Sequence, residues 1–213
     1  MKLHRLKAYF YLVLVAVIWG IASPVIKHTL QGISSLPFLT YRFALSSAVA
    51  IPTFLLAGIH IPKLKETLPY VLLYGFLVST VALGLLFLGL EKTTVLDMTL
   101  ITAVGPLLIA LAGVVFLKEH ITSREKVGMA LAFSGSFVML MEPLFNNGAN
   151  LSRLSGNILV ILYLLINTLA VVIVKKLLRS QVSPLTLTNT SFMVGFLTML
   201  PITLVAYGGK NLI

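Results

Sequence analysis

Apolar residues fall into seven long runs, at about 8–30, 36–58, 67–90, 95–117, 124–144, 156–178 and 185–208, separated by short polar connections. A hydrocarbon core of about 30 Å is crossed by roughly 20 apolar residues in a helix, so each run is long enough to span. None shows the alternating, roughly ten-residue pattern of an outer-membrane strand. The pattern therefore predicts an all-α fold, a polytopic membrane bundle of seven transmembrane helices. Most polar positions lie in the connections. The few inside the runs are expensive to keep there, so they are the first candidates for function.

Composition agrees with this pattern. Hydrophobic residues make up 58% of the 213 and charged residues 10%, against about a quarter charged in a soluble domain. The mean hydropathy is +1.03. The chain reads as a multi-pass protein of the cell membrane, with the lipid bilayer as its constant partner. The net charge of +10 does not point to nucleic acid, because no soluble basic face exists to bind it. The basic residues instead sort by side. Eleven (Lys2, Arg5, Lys7, Lys63, Lys65, Lys118, Arg124, Lys126, Lys175, Lys176, Arg179) lie on the N-terminal side of the spans, and four (Lys27, Lys92, Arg153, Lys210) on the other. Positive charge is retained in the cytoplasm, so residues 1–7 are expected to form a cytoplasmic basic N-terminus. The first run follows MKLHRLK and invites a signal-peptide reading, but it is long, and Pro24-Val25-Ile26-Lys27 makes a poor cleavage site.

The chain also repeats itself. Residues 23–58 and 171–208 each end a span in Lys, carry Ser and Pro in a short turn, and open a span that contains Pro again. Lys27 and Lys175 are offset by 148, Pro37 and Pro184 by 147, and Pro52 and Pro201 by 149. Five spans separate the copies, an odd number, so the second enters the membrane from the opposite face. Inverted repeats of this kind build secondary transporters, with the site near midplane between the copies. The expected units are a five-helix repeat at 8–144 and a partial second repeat of two helices at 156–208. Completing the second copy would take about 290–300 residues in all, so the chain is expected to stop short after its seventh helix.

Particular residues sharpen this into a family. Trp19-Gly20 with Ser23-Pro24 in the first run, Tyr41-Arg42-Phe43 in the second, and residues 92–140 with Pro106, Glu119, Gly128 and Gly135 together resemble the EamA family of the drug/metabolite transporter superfamily. The resemblance is close over about 10–145 and loose over 156–208. It implies a ten-helix transporter of two five-helix units. The chain departs from that pattern after its seventh helix, where the second unit's own Pro and Glu segments would follow.

Each candidate residue admits a structural and a functional reading. Trp19 lies midway along its run, away from the interfacial belts, and either walls a substrate cavity or fills an interhelical groove. Ser23 follows one turn later on the same face. Pro24 removes a backbone donor and frees the carbonyl of Gly20, so Gly20 and Pro24 form a candidate hinge or a bend re-satisfied by neighbours. Arg42 either snorkels or pairs, or it recruits an anionic group on a substrate. Thr99, Thr102 and Pro106 share a face of the fourth run. The hydroxyls bond their own helix or a solute, and Pro106 is a further hinge candidate. Tyr163 and Asn167 are an i, i+4 pair on the sixth run, and Asn167 corresponds to Trp19 through the offset of 148. A midspan Asn either joins helices or contacts substrate. Glu119 and Arg124 are a candidate cytoplasmic ion pair, with Asp97 in a similar setting at the opposite face. The small-residue stripes Gly75–Ser79–Leu83 and Gly128–Ala132–Ser136 read as helix packing.

These readings converge on a secondary transporter that moves a small metabolite by alternating access, with its cavity lined by the first, third, fourth and sixth spans. The competing readings are a seven-helix receptor or sensor, and a half-transporter completed as a homodimer. No enzyme is expected. The chain has no Cys, no His-Glu-x-x-His run, no phosphate loop and no paired midspan carboxylates, and Ser134-Gly135-Ser136 has no midspan His to act as base. No cofactor or metal is called for. The substrate, the direction of transport and the coupling ion leave no mark that can be read in the sequence.

Overall fold

The computed structural model describes residues 2–58, 61–62, 64–118, 122–145 and 151–207, and the described chain is helical throughout, without a strand. The first two spans are α1 (Lys2–Thr29) and α2 (Ser35–Ala57). The third is one long path made of α3 (Leu64–Gly75), a π-helical segment (Phe76–Ala82) and α4 (Leu83–Lys92). The fourth is broken into α5 (Val95–Thr102) and α6 (Gly105–Leu117). Then come α7 (Ser123–Phe145), α8 (Leu151–Arg179) and α9 (Pro184–Tyr207). Among the described residues, six stretches, none of them in α7, are long and apolar enough to cross a membrane: Tyr9–Thr29, Ser35–Leu56, Lys65–Lys92, Val95–Phe116, Leu151–Arg179 and Pro184–Tyr207. The fifth predicted span is α7.

Local chemistry sets the ends of these elements. The Thr94 hydroxyl caps α5 by accepting from the Asp97 amide at 3.0 Å, one of the orphan donors of a helix start. Ser183 does the same for α9, accepting from the Thr186 amide at 3.1 Å, with Pro184 at the first helical position where its missing N–H costs nothing. The α8 end closes on Gln181, which takes a left-handed φ of 64°. The Val182 amide then reaches the Leu177 carbonyl at 3.2 Å and the Gln181 amide the Leu178 carbonyl at 3.1 Å, the paired bonds of a Schellman turn.

The helices of the two compared segments match in length. α1 and α8 have 28 and 29 residues, and α2 and α9 have 23 and 24. Pro52 and Pro201 each stand 17 residues beyond the first residue of their helix. α2 and α9 pack directly on each other and run antiparallel. Thr40, near the start of α2, hydrogen-bonds Thr203, near the end of α9, at 2.8 Å. At the other end the Asn189 amide donates to the Thr53 hydroxyl. Helix starts offset by 149 map Thr40 onto Asn189, while Thr53 falls one residue short of the position matching Thr203.

Three apolar clusters hold the bundle. One gathers Leu90, Met98, Ile101, Val160 and Leu164, a second Leu39, Phe43, Phe87 and Met199, and a third Val71, Leu177, Val182 and Leu187. Lipid offers no hydrophobic drive between helices, so close backbone approach matters more. A Cβ on Gly156 would stand 2.9 Å from the Gly89 carbonyl and from Thr93, so α4 and α8 touch almost backbone to backbone. Gly75 lies against Ser191 and Val194, and Gly195 lies against Ser79 and Phe43, which places the third-span stripe on α9. The α7 stripe is different: Cβ atoms added at Gly128 or Gly135 would meet nothing within 4 Å. The spacing alone could not tell a contact face from an open one. α1 packs least, and no residue of its most apolar stretch is buried. Its far end is tied down by Lys27, whose ammonium donates to the carbonyls of Leu90 at 2.5 Å, Thr93 at 2.7 Å and Glu91 at 3.2 Å. These carbonyls are the orphan acceptors at the end of α4, where a cation is favoured.

Candidate functional site

Spacing on two helices brings three of the predicted residues together. Trp19 and Ser23 are one turn apart on α1, and Phe38 and Arg42 are one turn apart on α2. Both pairs face a cavity of about 480 Å³, which Phe87 and Leu90 of α4 and Met98 of α5 complete. Such a volume lies in the range of about 300–1,000 Å³ usual for small-molecule pockets. Phe38 and Phe87 stack with ring centroids 5.8 Å apart. The Arg42 guanidinium carbon lies 5.7 Å from the Phe87 ring centroid, within reach of a cation–π contact. Trp19 is 65% exposed, so its ring is not locked in a packed groove. The cavity thus has aromatic and aliphatic walls, one hydroxyl and one guanidinium.

The hinge candidates divide. α1 runs unbroken through Gly20 and Pro24, and a Cβ at Gly20 would meet nothing within 4 Å, so no neighbour demands glycine there. The fourth span does break, at the Ala103–Val104 turn, with Pro106 as the second residue of α6. Pro106 cannot donate to the Thr102 carbonyl, and the helix restarts around it. Met98, on the cavity wall, is carried by the half that precedes this break.

The remaining candidates lie elsewhere. The Thr99 hydroxyl donates to the Val95 carbonyl at 2.7 Å, and that of Thr102 to the Thr99 carbonyl at 3.1 Å. Both bond their own helix, and neither lines the cavity. Tyr163 packs against the cluster around Leu90 and Met98. Asn167 is half-buried on α8, and it too stays outside the cavity lining. The second span therefore replaces the expected sixth in the wall. Glu119 lies outside the described residues. Arg124 is exposed in the first turn of α7, where Glu125 accepts from the Thr122 amide at 2.6 Å and hydroxyl at 2.8 Å. Among the described residues, no three His, Asp or Glu side chains gather as a metal site.

The strongest polar feature had not been singled out. Asp97 is fully buried and accepts two bonds from Arg153, from Nε at 2.6 Å and from Nη2 at 2.7 Å. The Thr93 hydroxyl sits between Asp97 Oδ2, at 3.1 Å, and Asn157 Oδ1. Asn157 is itself fully buried, and its Nδ2 has no partner. This network joins α5 to the first turns of α8, directly beside the Gly89–Gly156 approach and the Lys27 anchor. It seals the end of the bundle at which α1 finishes. Arg153 counts in the sequence only as a connection charge. The available signal was an acid opening the fourth run and a base opening the sixth, both on the same side of the spans, with Thr-Thr-x-x-Asp at the helix start.

The family pattern described as "EamA-like transporter family" matches residues 6–141. An uncharacterized transporter of Archaeoglobus fulgidus is 27% identical over 201 residues, which are 92% of this chain and 67% of that protein. The uncharacterized transporter YyaM of Bacillus subtilis is 22% identical over 203 residues, 95% of this chain and 66% of that protein. The chain therefore spans about two thirds of the length of these curated relatives. No solved structure matches it.

Proposed function

The chain belongs to the EamA-like transporter family, and from that membership we propose that it carries a small metabolite across the cell membrane as a secondary transporter, its N-terminus in the cytoplasm. The observation that carries the proposal is the cavity between α1, α2, α4 and α5, walled by Trp19, Ser23 and Arg42. It adjoins a span broken at Ala103–Val104, and irregular backbone at membrane depth occurs where it lines a cavity or is buried in protein. Alternating access needs one end closed while the other admits solute. The Asp97–Arg153 pair and the Lys27 anchor are suited to hold the extracytoplasmic end closed. Opening that end would mean separating α5 from α8 across a buried ion pair.

Reconstitution tests this directly. Proteoliposomes loaded with a metabolite panel should show saturable counterflow for at least one solute, and Arg42→Gln should reduce it at least about tenfold, the worth of a lost charge-assisted contact. Counterflow no faster than in empty vesicles, for every solute and with the protein verified as folded, would sink the transporter reading. A receptor reading has no observation in its favour here.

A further inference from the structure

From the composition of the cavity we infer the class of molecule it takes: an organic anion with a flat apolar body, its acid group on Arg42 and its body between Trp19 and Phe87. The inference rests on reading this cavity as the transport site. Arg42 is the only ionisable residue lining it, and no carboxylate does so. Two neighbouring charges are already committed. Asp97, adjacent in sequence to the lining residue Met98, is held by two bonds from Arg153, and Lys27, one turn beyond Ser23, is held by three carbonyls. One positive charge is therefore left facing the space.

That charge stands within a span. Arg42 is the eighth residue of α2, so it stands about 10 Å along the helix from the start. A guanidinium at such depth is unfavourable unless an anion or polar group meets it. The Phe87 face gives it a weak partner, and a guanidinium fork suits a carboxylate or phosphate bidentately. The remaining walls are apolar, and Trp19 with Phe38 and Phe87 offers ring faces for offset stacking. A cation would be repelled by Arg42, and a neutral solute would strip its hydration without return.

Trp19 is the sole tryptophan of the chain, so its emission reports on this cavity alone. The 213-residue chain in phosphatidylcholine nanodiscs with a tryptophan-free scaffold is titrated with 3-phenylpropanoate, with 3-phenylpropanamide and with 2-phenylethylammonium. The acid should give a saturable change with an affinity at least about tenfold above that of the amide, and the ammonium none. Arg42→Gln should erase the advantage of the acid, and Arg42→Lys should keep part of it. Equal affinity for acid and amide, a preference that survives Arg42→Gln, or no saturable response from protein with native circular dichroism would each overturn the inference. Phosphatidylglycerol discs identify the source of the anion. Affinity for the acid that falls with phosphatidylglycerol content assigns the same anion site to lipid headgroups, and unchanged affinity assigns it to solutes. Binding is read without transport, so anion selectivity without counterflow would refute the transporter reading and leave this one standing.

Discussion

Arg153→Met should destabilise the bundle more than Asp97→Asn, although both break the same ion pair. Breaking a buried pair by removing one partner costs about 3–5 kcal/mol, because a charge is left uncompensated. The two ends of this pair are not equally buried: the Arg153 side chain is 22% exposed and that of Asp97 is 0% exposed. Arg153→Met strands the carboxylate beside its Thr93 contact, and the expected loss is about 3 kcal/mol. Asp97→Asn leaves a guanidinium that still reaches water, beside an amide oxygen that still accepts, and the expected loss is about 1–2 kcal/mol. At about 2–4 °C per kcal/mol for a chain of this size, the variants should separate by several degrees in detergent, followed by far-ultraviolet circular dichroism. The double variant should be less destabilised than the two losses combined, with a coupling of about 1.5 kcal/mol or more. An Arg153→Met protein as stable as Asp97→Asn, or strictly additive losses, would show that the pair does not hold α5 to α8.

Three further outcomes follow from single contacts. Gly156→Ala, whose Cβ would stand 2.9 Å from the Gly89 carbonyl and Thr93, should cost about 1–3 kcal/mol, whereas Gly128→Ala, with nothing within 4 Å, should be neutral or gain up to about 1 kcal/mol; thermal melts of the pair check the contrast. Gln181→Gly relieves a left-handed residue with φ 64° and should stabilise by about 1 kcal/mol, seen as a higher melting temperature. Lys27→Met removes the three-carbonyl anchor and should speed amide exchange in α1 while leaving that of α8 unchanged.

How much of this was legible in the sequence depends on what each signal encodes. Span positions were legible because apolar length is a direct requirement of the bilayer. The relation of α2 to α9 was legible too, since Pro52 and Pro201 keep their spacing when most other identities are lost. Trp19, Ser23 and Arg42 line one cavity, and they drew notice in the sequence because a midspan Trp or Arg is costly enough to be informative. Thr99, Thr102, Tyr163 and Asn167 did not join them, because spacing says which residues share a face and not which neighbour that face meets. The same limit misplaced the α7 stripe. The Asp97–Arg153 pair was invisible for another reason: 56 residues separate its members, and each alone looks like an ordinary charge at a span end. The pair forms because α5 packs on α8, beside the Gly89–Gly156 approach that holds α4 to the same helix.

The distribution of contacts also decides which parts can move most cheaply. α4 and α8 meet at backbone distance through Gly89 and Gly156, and the Asp97–Arg153 pair adds α5 to them. Separating these helices would expose a buried carboxylate and the fully buried Asn157. α1 meets the same bundle through Ile26 in two apolar clusters and through Lys27 on the α4 carbonyls, and its most apolar stretch is unburied. Displacing α1 from α4 therefore breaks few contacts, and the wall so displaced carries Trp19 and Ser23. Displacing α5 is costlier, but the break at Ala103–Val104 lets it pivot without bending α6. The cavity thus lies between a rigid wall, α4 backed by α8, and two walls that can yield. Arg42 extends from α2, which is fixed to α9 at both ends by the Thr40–Thr203 and Thr53–Asn189 bonds. The one charge lining the cavity is thus mounted on a helix held at both ends, opposite the wall that the fewest contacts hold in place.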